Sequence, residues 1–399
     1  EVIATTAPMP RIERSEDDIY MLYTGGTTGM PKGVMYDMGG FTRAFVGMGF
    51  PLLGQAPPAD PAEIAGAVAA VVNATGGVVS QPCAPLMHGT CIWLGVMIPQ
   101  LMGATVVTLQ SRSLDPHEVL STVQREKVTN LVIVGDAFAK PMIAAYDEAA
   151  AAGRPYDLSS IQMIISSGVM WTAEVKEQLL ERIEQAVLLD AMGSSEGSMG
   201  SSISMKGVPP STAKFTQNPT TKVFTEDGRE VLPGSGEVGM VAAGGMVPVG
   251  YFKDAEKSAR TFRTIDGVRY SFPGDMAMVA DDGTLVLLGR GSQVINSGGE
   301  KIFPEEVEEA AKRVEGVVDC LVVGLPDEKF GNAVTAVVSL ADGASVDEAT
   351  VIAGVKEQLA GYKAPKKVVF VAKVPRAPNG KADYKTAGQL ARDAAGLGE

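Results

Sequence analysis

The chain has 399 residues, 45% hydrophobic and 20% charged, with a net charge of −13, a balance that fits a folded globular protein with room for two domains and excludes a disordered one. The acidic field and the lack of a basic stripe exclude a nucleic-acid binder, so any anionic substrate must be caught by a local pocket of donors. No apolar run reaches the ~18 residues that cross a bilayer, and three cysteines without a CxxC spacing point to reduced thiols.

In chain order, the apolar run IYMLY (19–23) predicts a strand that opens into YTGGTTGMPKGV (23–34). Gly25, Gly26, Gly29 and Gly33 let backbone N–H groups converge, Thr24, Thr27 and Thr28 add hydroxyls, and Lys32 adds a positive charge. Such a loop suits phosphate oxygens. It is not GxxxxGK[ST], because Gly33 follows the lysine, so a metal ligand must come from elsewhere. The stretch 54–61 reads as a loop. Cys83, His88 and Cys91 lie close together, but a structural zinc site wants four ligands and no fourth is near.

From 104 to 192 the pattern alternates. Apolar runs at 104–109, 130–134, 161–165 and 186–190 predict buried strands. Between them, Asp115-Pro116 opens one helix, and Val175, Leu179, Leu180 and Ile183 share a face of another. The alternation predicts an α/β domain with a parallel, doubly wound sheet. After 220 short strands and turns dominate, and MAMVADDGTLVLLG predicts a hairpin in a β-rich subdomain. Beyond a boundary near 290, a helix with Val307, Ala311 and Val314 on one face opens a small α+β domain. Its strands are predicted at 317–323, 333–340 and 367–372, with a helix at 347–360.

Within AMGSSEG (191–197), GSSEG fits GxSxG, which would make Ser195 a hydrolase nucleophile. That fold needs a histidine after the serine, and His88 and His117 both precede it. The hydrolase reading fails.

Taken in order, YTGGTTGMPKGV, APLMHG (84–89), SSGVMW (166–171), AMGSSEG, SFPGD (271–275), GRGSQVINSGGEKIFPEEVEE (289–309) and VPRAPNGKADY (374–384) resemble the motifs of the adenylate-forming superfamily, which includes acyl-CoA synthetases, luciferases and adenylation domains. The resemblance covers nearly the whole chain. In finer detail it is similar to bacterial fatty-acyl and steroid side-chain CoA ligases. It implies a large nucleotide- and acyl-binding domain (1–289) and a small mobile lid (290–399) that turns about Ser292.

The resemblance also implies roles. Glu196 would hold Mg²⁺, and Gly193, Ser194 and Ser195 would pass along the adenine and phosphates. Met192 would stack on the base where relatives have an aromatic residue. Gly168 and Val169 would line the base, Asp275 would accept from the ribose hydroxyls, and Arg290 would reach ribose or phosphate. His88 would gate the acyl pocket, Gly298 and Gly299 would flank the pantetheine of coenzyme A, and Lys381 would be the main catalytic group. Expected substrates are ATP, coenzyme A and a small carboxylic acid. An acyl-AMP ligase serving a carrier protein and a non-catalytic nucleotide-binding homologue are the alternatives. Only 22 residues precede the phosphate loop, where relatives carry a further α/β segment, so a partial chain is expected. The expected compartment is the cytoplasm, with peripheral membrane association and a homodimer left open.

Overall fold

Four of the apolar runs become strands of one parallel array, joined by a fifth strand that the sequence did not announce. The structure, a computed structural model, describes residues 5–7, 9–10, 12–24, 31–377 and 380–397. The parallel order is Thr105–Val106, Val79–Pro82, Asn130–Ile133, Met163–Ser167, Val187–Ser194. Leu131, Val132, Ile133, Ile164, Ile165 and Leu188 pack there against Val119, Val123, Leu179, Leu180 and Trp171 in the largest core. The helix Pro116–Glu126 starts as expected: the Asp115 carboxylate accepts from the N–H groups of His117 and Glu118, and Pro116 occupies the first turn.

The sheet does not stop at its parallel half. Val187–Ser194 turns back through a two-residue loop, Ser195-Glu196, and pairs antiparallel with Gly197–Ser204. The order continues through Lys214–Gln217, Leu285–Arg290, Asp275–Val279, Gly239–Ala243 and Val268–Ser271 to Phe262–Ile265. The predicted parallel sheet and β-rich subdomain are therefore one mixed sheet, of 13 strands among the described residues. The reason is local: a two-residue loop permits only an antiparallel neighbour, whereas a parallel one needs a crossover.

A separate sheet joins Ile19–Thr24, Lys32–Asp37 and Gly250–Tyr251. Its register pairs Thr24 with Lys32, so two antiparallel strands flank the glycine- and threonine-rich segment.

The small domain has its own core, in which Ile302, Val307, Ala311, Cys320, Val322, Val334 and Val351 are buried together. Strands Val317–Asp327, Gly331–Leu340 and Lys367–Phe370 form its sheet, beside helices Pro304–Lys312, Glu348–Gln358 and Tyr384–Ala395. It rests on the large domain through the helix Gly135–Ala151. Lys140 Nζ donates to the Val318 carbonyl at 3.5 Å, and the α-carbon face of Gly380 lies over Ala137 and Phe138.

Candidate active site

The two-residue turn of the central sheet carries Glu196, and two tyrosines hold that turn. The Tyr251 hydroxyl donates to Glu196 Oε1 at 2.8 Å, and the Tyr36 hydroxyl donates to the Ser195 carbonyl at 2.8 Å. Burial, reinforced by the Glu196 charge, pushes both phenols above their ordinary pKa, so both stay neutral donors. The Glu196 N–H donates to Ser194 Oγ at 3.1 Å. Behind the turn, Lys176 Nζ pairs with Asp190 Oδ2 at 2.8 Å and donates to the Ser211 carbonyl at 3.0 Å. This buried cation ties the helix Ala173–Arg182 to the strand that leads into the turn.

The next parallel strand, Met163–Ser167, ends at Gly168, whose φ is +93°. The segment after it is strapped to the start of the neighbouring helix. Asp136 N–H donates to the Met170 carbonyl at 3.1 Å, and Asp136 Oδ1 accepts from Thr172 N–H at 2.9 Å. Gly135 makes the strap close: its φ is +52°, and a Cβ there would drive into the carbonyls of Val169 and Met170. Gly168 and Val169 thus sit at the carboxyl edge of the parallel strands, where ligands of open α/β sheets bind. A Cβ on Gly168 would stand 3.5 Å from Thr90 Oγ1 and 3.9 Å from Lys381 Cε.

Lys381 therefore reaches this edge from the other domain. Its loop is braced within the small domain. Arg376 makes a two-pronged pair with Asp319, at 2.6 and 2.7 Å, and donates to the Gly380 carbonyl at 3.2 Å. Ala377 N–H donates to the Lys381 carbonyl at 2.8 Å. Burial lowers the Lys381 pKa and Arg290 lowers it further, while Glu196 and Asp275 pull the other way. His88 stands close enough that the Lys381 charge adds to burial in depressing the imidazole, which is neutral at pH 7.

Asp275 and Arg290 face each other across the hairpin Asp275–Val279 and Leu285–Arg290, with Nε to Oδ1 at 3.5 Å. Asp275 Oδ2 is buried and has no hydrogen-bond partner among the described residues. Burial raises the Asp275 pKa against the pull of Arg290. Below them Glu305 abuts Gly289, and its Oε1 accepts from the Arg290 N–H at 3.4 Å.

The structure thus brings together Glu196, Gly168, Asp275, Arg290, His88 and Lys381. Thr24 and Lys32 pair across two antiparallel strands beside Tyr251, with Lys32 Nζ 6.0 Å from that ring. Gly25, Gly26, Thr27, Thr28 and Gly29 lie outside the described residues. Gly193, Ser194 and Ser195 occupy the strand end and the turn. Met192 departs from expectation. Its side chain is 5% exposed and packs among Met199, Phe215, Val223 and Val241, because alternation along the strand turns it into the core. The thioether expected to stack on a base is buried instead. Ser292 is exposed in a short 3-10 turn, Gly291–Gln293, between the two domains. Gly298 and Gly299 form the turn of the hairpin Ile295–Ser297 and Glu300–Ile302, with φ of +61° and +89°. Gly298 N–H donates to the Phe330 carbonyl, so that turn is held within the small domain. Cys83 and Cys91 are buried free thiols whose pKa values burial raises.

Sequence reasoning missed Tyr36, Tyr251, Asp319 and Arg376. Each acts through a partner more than 50 positions away in the chain or on another element. The only local signal was GYF, an aromatic beside a glycine at a strand start.

A carboxylate fixed by a neutral phenol, a buried acceptor without a donor among the described residues and an inserted ammonium suit a polyhydroxylated, polyanionic ligand that reacts beside the lysine. For Mg²⁺, Glu196 is a single oriented carboxylate, and no group of three acidic, histidine or cysteine ligands exists among the described residues. That set fits an ion that takes one or two protein carboxylates and completes its shell with phosphate and water.

Comparison with known proteins agrees with this geometry. Residues 2–252 match the family described as AMP-binding enzyme, and residues 306–381 match the AMP-binding enzyme C-terminal domain. A medium/long-chain-fatty-acid–CoA/3-oxocholest-4-en-26-oate–CoA ligase of Mycolicibacterium smegmatis is 42% identical over 380 residues, 94% of this chain and 67% of the relative. A 3-oxocholest-4-en-26-oate–CoA ligase of Rhodococcus rhodochrous is 41% identical over 390 residues, 96% of this chain and 68% of the relative. Among solved structures, ATP-bound MatB from Rhodopseudomonas palustris superposes with a TM-score of 0.78 at 25% identity, covering 98% of this chain and 72% of that one.

Proposed function

The chain belongs to the AMP-binding enzyme family, and from that premise we propose that it is an ATP-dependent carboxylate–CoA ligase for an apolar acid, a medium- or long-chain fatty acid or a steroid side-chain acid. The observation that carries the reading is the delivery of Lys381 from the small domain to the edge that holds Gly168, under the charges of Glu196, Asp275 and Arg290.

In the first step a carboxylate oxygen attacks the α-phosphorus of ATP, the bond to the β-phosphate breaks, and pyrophosphate leaves. Lys381 places its ammonium between the acid and the α-phosphate and stabilises the charge that gathers there. Asp275 Oδ2, the buried acceptor, takes the ribose hydroxyls, and Arg290 steadies it. Gly168 and Val169 lie along the base, and Thr24 and Lys32 hold the phosphates. His88, neutral, borders the acid without repelling Lys381. When bound at Glu196 with the triphosphate, Mg²⁺ neutralises phosphate charge and orients the leaving group. The rest is alignment.

In the second step the small domain turns about Ser292, near 290–292, withdrawing Lys381 and presenting Gly298 and Gly299 to the pantetheine arm. The coenzyme A sulfur attacks the acyl carbonyl, the bond to AMP breaks, and the thiol proton passes to solvent. No helix of the described residues is long and apolar enough to cross a membrane.

The test is acid-dependent exchange between ATP and labelled pyrophosphate, followed by thioester formation with coenzyme A, over short, medium, long and sterol-derived acids. Exchange and thioester with apolar acids are expected. Failure of every acid to drive exchange in the full-length protein contradicts the proposal. Exchange with thioester formed only on a phosphopantetheinyl carrier would replace coenzyme A as acceptor.

A further inference from the structure

Two lysines from different elements meet over one ring beside Glu196. Lys32 begins the strand Lys32–Asp37, which pairs with Gly250–Tyr251 in the register Tyr251 to Val34, with Phe252 N–H donating to the Gly33 carbonyl at 2.8 Å. Lys257 comes from the helix Ala255–Thr261 that follows. Their Nζ atoms lie 6.0 and 5.7 Å from the centre of the Tyr251 ring. That ring is 5% exposed, packs on Phe262 at 5.1 Å, and its hydroxyl holds Glu196.

The backbone of Lys257 is fixed. Asp254 Oδ1 accepts from Lys257 N–H at 3.0 Å. Ser258 Oγ accepts from Tyr251 N–H at 2.8 Å and donates to the Asp254 carbonyl at 2.6 Å. Neither lysine forms a salt bridge among the described residues, whose ion pairs are otherwise numerous. The two side chains instead crowd each other: the hydrogen-bond contact with Lys32, then burial and the Lys32 charge, hold the Lys257 pKa below its usual value, against the weaker pull of Asp254 and Glu196. Two cations held together on a chain of net charge −13 form a site that an anion with several adjacent charges would relieve.

We propose that Lys257 is a second polyphosphate-binding residue, which with Lys32 clamps the β- and γ-phosphates of the nucleotide and the pyrophosphate that departs. The ligase reading supplies only the identity of the anion. The position over Tyr251 puts the clamp next to the carboxylate assigned to Mg²⁺.

The experiment is calorimetric titration of the full chain with inorganic pyrophosphate and, separately, with AMP, for wild type, Lys257→Ala and Lys257→Arg. Loss of one charge-assisted contact should weaken pyrophosphate in Lys257→Ala by about tenfold to a hundredfold, with AMP affinity changed less than about twofold and Lys257→Arg close to wild type. High salt should shrink the difference between wild type and Lys257→Ala. Pyrophosphate affinity unchanged in Lys257→Ala, equal losses for AMP and pyrophosphate, or no pyrophosphate binding by wild type would each overturn the inference. Pyrophosphate bound as expected by a protein that no acid drives to exchange would reject the ligase reading and leave the clamp standing.

Discussion

Replacing Glu305 by glutamine should change how the small domain's stability depends on pH. Glu305 opens the helix Pro304–Lys312 and is pressed against Gly289 and Arg290 of the large domain. Its Oε2 is buried without a partner among the described residues. Burial, with the nearby Asp275 charge, raises its pKa from 4.5 to about 7, against its own and the Arg290 N–H groups and the Arg290 charge. That difference corresponds to about 3 kcal/mol against ionisation in the folded state. Because the folded value is raised, the folded chain keeps a proton that the unfolded chain releases between pH 4.5 and about 7. Stability therefore falls as pH rises through that window and levels off above it. Hydrogen exchange of the amides in Pro304–Lys312, corrected for the intrinsic rate, reads the local opening free energy at each pH. Glu308, buried on the same helix and raised to about 8 by burial and then by the Glu305 charge, adds a fall of its own, smaller in Glu305→Gln. The quantity to follow is thus the opening free energy of Glu305→Gln minus that of wild type. It should grow by up to about 3 kcal/mol from pH 5 to pH 7.5. A difference that does not change with pH would refute the reasoning.

Lys381→Ala should lower acid-dependent ATP–pyrophosphate exchange by about a hundredfold to a thousandfold, while coenzyme A transfer from supplied acyl-adenylate changes little. Asp319→Asn should break the two-pronged hold on Arg376 and loosen the Lys381 loop. Exchange should then fall about tenfold at an unchanged KM for ATP, as measured by initial rates. Asp275→Asn should raise the KM for ATP about tenfold, because an amide offers the ribose a weaker acceptor than the buried carboxylate. Gly135→Ala, at φ +52° and against the Val169 and Met170 carbonyls, should cost about 2 kcal/mol or more in urea unfolding of the large domain, followed by Trp171 fluorescence.

The local signals in the sequence were sound wherever the structure depends on local physics. The Asp115-Pro116 start, the apolar runs and the Asp-Gly hairpin all follow from capping, periodicity and turn chemistry. The helix Met38–Leu52 was not legible, because MGGFTRAFVGMGFPL carries four glycines and a proline, all poor helix formers. It forms because Phe41, Phe45 and Phe50 are buried by tertiary neighbours. The helix Gly135–Ala151 likewise begins on a glycine and contains Pro141. In the candidate site, Glu196, Asp275 and Lys381 were visible as motif residues. The groups that hold Glu196, its turn and the Lys381 loop, namely Tyr251, Tyr36 and the Asp319–Arg376 pair, come from contacts between distant elements that no window of sequence contains. Met192 failed as a base platform for a similar reason. The motif gave its position, but the pleat of the strand decided which way it points.

The central claim is that one arrangement of the two domains performs adenylation and another performs transfer. Ala137→Cys with Gly380→Cys tests it most directly, because a Cβ on Gly380 would lie 3.0 Å from the Ala137 Cβ, within reach of a disulfide after a small adjustment. The native cysteines are buried and free, and the reduced double variant controls for any strain at the φ of +80° on Gly380. Both half-reactions are measured on the oxidised and reduced forms. The oxidised protein should retain acid-dependent ATP–pyrophosphate exchange and lose coenzyme A thioester formation, which reduction restores. Thioester formation at the reduced rate by the locked protein would contradict the account.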